Sequence, residues 1–323
     1  MEQSDSLLDH VRSACQEVTR QARYVHVDCS RIPAYAAALP LDKLVLIQVD
    51  PREAYSGSED DLVAFVLTLD TVNFGSGYLP DLKTANDASV YFMIATALKA
   101  RFQRKGPFTP DELSALEPID CAAIFEQDYT NEACRELMDR FAKALNDLGD
   151  FILNRFDGKF RNLVVEANSS VEELIRILIE MPYFRDVTHY RQMVVPFYKR
   201  AQITAADLFV RFKGRGLGSF RDLERLTIFA DNNVPHVLRV DGILKYEDSL
   251  ASRIANGTLI AAGSEEEIEI RASAVHAVDL LKDELQRRGR DILTMYIDFY
   301  LWNRGHASRY KAAPRHLTRT AFY

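Results

Sequence analysis

The sequence predicts a mainly α protein with a few short strands, and three observations carry that prediction. Apolar residues recur at helical spacing, as in Leu7, Leu8, Val11, Cys15 and Val18. A helix-start signal, Ser or Thr followed three places later by an acid, repeats along the chain. The stiffer, β-branched stretches, Val25 with Val27 and Leu44–Asp50 (LVLIQVD), read only as short strands or extended connectors.

Each element follows in order. Leu7 to Val18 forms the first helix. Ser58-Glu-Asp-Asp61 is a capping box opening the apolar helix AFVLTLDTVNF. Thr109-Pro-Asp-Glu112 combines an N-cap, a proline at the first helical position and an acid at the third. Ser170-Val-Glu-Glu173, Thr204 with Asp207, Ser219-Phe-Arg-Asp222 and Ser264-Glu-Glu-Glu267 repeat the signature. Gly242 and Gly257 mark helix ends, and Gly263 stands just ahead of the Ser264 cap. The aromatic run Tyr296 to Trp302 (YIDFYLW) reads as core packing. Ten to fifteen helices are expected. With no repeat and no low-complexity linker, residues 1–323 form one domain, with room for two lobes, about 1–150 and 151–323, and the site between them. From Arg191 to Asp248 the pattern is helix, Gly-rich turn (Lys213 to Gly218), helix, acidic turn, helix, a layout similar to that of helix-hairpin-helix glycosylases.

Bulk properties narrow the function. Hydrophobic residues make up 47% and charged residues 27%, ordinary globular values. A net charge of −7 gives no global field toward nucleic acid, so no stable nucleic-acid complex is expected. Cys15, Cys29, Cys121 and Cys134 are scattered, which suits reduced thiols in a cytoplasmic protein. The acidic, amphipathic N-terminus is unlike a signal peptide, and no apolar run approaches the roughly 20 residues of a membrane span. His26, His189, His236 and His276 lack metal spacing, so neither a metal nor a cofactor is expected.

Three clusters carry candidate chemistry. In Phe229-Ala-Asp-Asn-Asn233-Val-Pro-His236, an aspartate between two helical patterns precedes Val-Pro, which opens the next helix. Asp231 reads either as a cap or as a carboxylate that stabilises a cationic transition state. In Phe197-Tyr-Lys-Arg-Ala-Gln202, Lys199 and Arg200 lie beside Tyr198 in an unusually apolar setting, which suits a ligand phosphate. In Asp70-Thr-Val-Asn73-Phe74, an acid near a helix C-terminus opposes the macrodipole. Its carboxylate, amide and ring would read the edge and face of a guanine-like base. On these residues the chain is an N-glycosidase of a nucleotide, a base-excision glycosylase of DNA or RNA, or a non-catalytic binding module for modified nucleosides.

Asp70 to Phe74, Val195 to Ile203, Leu226 to Asp231 with Val234-Pro235, Gly263 to Ala272 and Tyr300-Leu-Trp302 together resemble the queuosine salvage protein family, the queuosine 5′-phosphate N-glycosylases. The resemblance implies an all-α fold related to helix-hairpin-helix DNA glycosylases. It also implies hydrolysis of queuosine 5′-monophosphate to queuine and ribose 5-phosphate. It assigns Asp231 as the catalytic carboxylate, Lys199 as a phosphate or sugar contact, and Asp70, Asn73 and Phe74 to the base pocket. Tyr198, Arg200, Phe229, Asn233 and His236 are the neighbouring substrate-binding candidates.

Overall fold

The computed structural model describes residues 6–45, 49–85 and 89–323. Among the described residues there are sixteen α-helices and four short strands, so the fold is mainly α. The helix count passes the expected range through four-residue turns such as Leu41–Leu44 and Ser308–Lys311, too short to leave a periodic signal. No helix among the described residues is long and apolar enough to cross a membrane.

The chain divides into two compact units. The first holds Met1–Ile47, Val187–Lys199 and Leu223–Arg319; the second holds Gln48–Asp186, Arg200–Asp222 and Thr320–Tyr323. Neither is a contiguous half of the chain, and one division falls between Lys199 and Arg200.

In the first unit, the helices Leu7–Gln21 and Ile32–Ala38 pack against the long helix Glu265–Arg287. Leu8, Val11, Cys15 and Val18 are fully buried, as their spacing requires, whereas Leu7 lies at the margin. Two antiparallel ribbons complete the unit: β1 (Val25–Val27), β2 (Val187–Tyr190), β3 (Met193–Pro196) and β4 (Leu244–Tyr246) pair as β1 with β4 and β2 with β3. Glu269, fully buried on the long helix, joins these parts. Its carboxylate accepts the N–H groups of Arg23, Tyr24 and Val25 at 2.6–3.1 Å and the Tyr190 hydroxyl at 2.8 Å. The strand expected at Val25 and Val27 is therefore present. Leu46 to Gln48 of the LVLIQVD stretch lie outside the described residues.

The second unit is built on Glu132–Arg155, which packs on Pro110–Ser114 and Pro118–Ile124, and on Glu59–Thr71, which packs on Val90–Lys105 and Phe160–Glu166. Gly149 makes the first of these contacts close: a Cβ there would stand 2.5 Å from the Pro110 carbonyl oxygen. The capping boxes at Ser58 and Thr109 form with both reciprocal hydrogen bonds.

Two expected helix starts are not formed. Thr204 lies inside the helix Lys199–Arg211 and donates to the Arg200 carbonyl one turn back, so it caps nothing. After Ser219 there is only the single 3₁₀ turn Leu223–Arg225. The reason is that the Asp222 carboxylate is taken up elsewhere in its unit, accepting the Val171 N–H and the Ser170 hydroxyl at 2.7 Å each. It thus caps Val171–Leu178 from a distance.

Candidate active site

Leu226 to Asp231 are buried, form neither helix nor strand, and lead into Asn233–Val240. Pro235 sits in the first helical turn, where a missing N–H costs no hydrogen bond. Asp231 does cap this helix: its Oδ1 accepts the N–H groups of Asn233 at 2.7 Å and Val234 at 3.0 Å. Both bonds go to one oxygen, and Oδ2 takes no part in the turn. The cap fixes a buried carboxylate at a helix N-terminus, where the backbone dipoles favour an anion.

A second carboxylate stands beside the first. Asp298, on the helix Thr294–Arg304, accepts the Phe229 N–H at 2.8 Å through Oδ1. Burial, followed by the nearby Asp231 charge, raises its pKa well above the usual carboxylate range, while the Phe229 bond and the Lys199 ammonium pull the other way. Burial and the Asp231 charge thus favour the protonated form of Asp298, and Lys199 opposes them. By sequence Asp298 falls inside the aromatic run Tyr296 to Trp302, which reads as core. A carboxylic acid among six apolar or aromatic neighbours was the signal that could have singled it out.

Lys199 reaches the same cluster from the start of its helix, almost fully buried. An ammonium there opposes the helix dipole and calls for anionic company. Tyr198, just before it, is held at φ 50°, a left-handed conformation uncommon outside glycine. Arg271 on the long helix joins the two segments. Its guanidinium lies 3.9 Å over the Phe197 ring, and its Nε donates to the Ala230 carbonyl at 2.9 Å. One residue thus secures the chain two places before Lys199 and one place before Asp231.

Asn233 and His236 hold structure together. Asn233 donates from Nδ2 to the Trp302 carbonyl and accepts from Arg315 at Oδ1, both at 2.8 Å. A Cβ on Gly305 would stand 2.2 Å from that Oδ1, so only glycine leaves it room. His236 pairs through Nε2 with the Tyr310 carbonyl at 2.8 Å, and burial holds it neutral with its pKa down to about 4. Phe229 is buried, its ring 5.9 Å from that of Phe299, and its amide is the contact to Asp298. Both side chains, expected as substrate contacts, are engaged within the first unit.

The remaining candidates belong to the second unit. Asp70 and Asn73 are buried near the end of Glu59–Thr71, with Asn73 Nδ2 donating to Asp70 Oδ1 at 3.4 Å. Phe74 packs edge-on against Phe141 at 4.9 Å and lies beneath the Arg200 guanidinium at 4.8 Å. Arg200 donates to the carbonyls of Asp70, Thr71, Tyr183 and Ala321. Expected beside a ligand phosphate, it acts in this structure as a main-chain clamp. Burial lowers its pKa to about 9, opposed by Asp186 and Asp70.

The first unit thus assembles a fixed, buried carboxylate, a second buried carboxyl group whose pKa is raised, and a buried ammonium. Comparison with known proteins gives the family. The profile of the queuosine salvage protein family matches residues 53–323, and the chain belongs to that family. It is 34% identical over 318 residues to the queuosine 5′-phosphate N-glycosylase/hydrolase of Sphaerobacter thermophilus, covering 97% of each chain. The proteins of the same name from Dictyostelium discoideum and Bos taurus are 33% and 30% identical. Those matches cover 80% and 85% of this chain and 77% and 84% of theirs.

Proposed function

We propose that this protein hydrolyses the N-glycosidic bond of queuosine 5′-monophosphate, releasing queuine and ribose 5-phosphate. The observation that carries the reading is the Asp231 carboxylate, pinned through Oδ1 with Oδ2 outside the cap. Cleaving a C–N bond at ribose builds positive charge on the sugar ring, and a pre-positioned carboxylate stabilises that charge without reorganising. Queuine is a 7-deazaguanine, so activation of the base by protonation at N7 is not open to the enzyme. Catalysis leans on the ribosyl cation and on hydrogen bonds to the departing base.

Lys199 holds the 5′-phosphate or the sugar, and that remote binding energy orients the ribose. Asp70 and Asn73 read the base edge, the carboxylate taking the N1–H and 2-amino group and the amide taking O6. Phe74 supports them as a packed wall. The partner is a small nucleotide, consistent with a net charge of −7. All four cysteines are free, in keeping with a cytosolic salvage enzyme.

Incubation of the pure protein with queuosine 5′-monophosphate, followed by mass spectrometry, tests the proposal. Queuine and ribose 5-phosphate should appear in equal amounts. Absence of queuine would overturn it.

A further inference from the structure

We propose that Asp298 is a positioning residue for Asp231, acting through the main chain of Phe229, Ala230 and Asp231. This rests on the catalytic reading of Asp231 above. The Phe229 N–H is buried and donates to Asp298 Oδ1 at 2.8 Å, and two residues later the chain delivers the Asp231 carboxylate. Between them, the Ala230 carbonyl is held by Arg271 at 2.9 Å. Beyond them, Asp231 Oδ1 is held by the Asn233 and Val234 amides. The segment is therefore fixed at three successive residues, by three elements of one unit. Of the groups that hold the segment from outside, Asp298 is the titratable acid, and the others are the Arg271 guanidinium and two main-chain amides.

An aspartate is an unusual choice for this task, because an asparagine would accept the same N–H without titrating. The charged groups that act on Asp298 are Asp231 and Lys199, one raising and the other lowering its affinity for a proton. Other charges on the packed elements are directed elsewhere. Arg271 bonds Ala230, Arg239 bonds the Pro314 carbonyl, His236 bonds the Tyr310 carbonyl, and Asp42 and Lys43 of Leu41–Leu44 are exposed. As long as Asp298 keeps its proton, the Asp231 segment stays in place. Once it ionises, two like charges share a buried site and the Asp231 turn is pushed from its position. Activity should accordingly have an alkaline limb set by Asp298.

The experiment compares wild type, Asp231→Asn, Asp298→Ala and Asp298→Asn in the full chain, with queuine release measured across pH and folding followed by thermal melting. Asp298→Ala removes the acceptor and should lower kcat by roughly 30- to 100-fold with KM within about twofold. Asp298→Asn restores the acceptor, so it should recover to within about tenfold of wild type and shift the alkaline limb upward. A folded Asp298→Ala enzyme with wild-type kcat overturns the inference, as does an Asp298→Asn enzyme no better than Ala. If the alanine variant does not fold, the asparagine variant decides alone: a limb at the wild-type pH overturns the inference. A wild type that releases no queuine would instead remove the functional reading itself. A wild type that turns over, silenced by Asp231→Asn but indifferent to Asp298, would remove only this inference.

Discussion

Glu269 and Asp231 are both buried carboxylates of the first unit, and both accept main-chain N–H groups, but they do so in different ways. Glu269 is saturated: Oε1 takes the Arg23 amide and the Tyr190 hydroxyl, and Oε2 takes the amides of Arg23, Tyr24 and Val25. Asp231 takes two amides on Oδ1 alone and has the Asp298 carboxyl, its pKa raised, and the Lys199 ammonium for company. Burial and capping do not separate a structural carboxylate from a chemical one. What separates them is whether every oxygen is already bound. The cap at Asp231 is therefore compatible with the proposed catalytic role, since the cap is what fixes the group in place.

The contrast predicts opposite phenotypes. Asp231→Asn should lower kcat by about 10²–10³-fold or more while the melting temperature barely moves, because asparagine caps a helix as well as aspartate does. Queuine release and a melting curve on the same sample check this, and a variant that unfolds would return Asp231 to a purely structural role. Glu269→Ala should do the reverse, costing about 3 kcal/mol or more of stability through the amides left without an acceptor. Its folded fraction should keep wild-type turnover, measured after correction for unfolded protein.

Smaller effects sharpen the comparison. Lys199→Ala should lower kcat/KM for the 5′-phosphate by about 10- to 100-fold, the worth of a charge-assisted contact. The free nucleoside should lose far less, and equal losses would count against a phosphate role. His236 offers a third kind of buried group, one that must stay neutral. Its folded pKa is lowered, so the unfolded chain binds the proton more readily below its ordinary value of about 6.5. The contribution is complete above that value and is lost as pH falls toward about 4. By pH 5.5 the loss should amount to about 1.4 kcal/mol, seen as a falling urea midpoint that His236→Gln flattens.

What was legible in the sequence was local. The boxes at Ser58 and Thr109 and the caps at Ser170 and Ser264 close within three residues, so spacing alone reveals them. The same pattern misled at Thr204 and Ser219, where the tertiary structure takes the side chain or the backbone for another purpose. The residues of the proposed site stand out in the sequence by different local signals: Asp231 as an acid between two helical patterns, Lys199 as a cation in an apolar setting, and Asp70 as an acid near a helix C-terminus. Asp298, Arg271 and Arg315 do not, because each acts on a segment far away in the chain and nothing beside it in the sequence marks that partner.

The Glu269 latch has a consequence for how the chain comes off the ribosome. The amides of residues 23–25 meet an acceptor some 244–246 residues downstream, so they emerge long before Glu269 exists. The second unit takes its longest stretch from Gln48–Asp186 and can begin to gather during that interval. Contacts of such long range are slow to form and leave early segments uncovered. The N-terminal helix should therefore be the part that depends most on chaperones during synthesis, and the last to become resistant to protease.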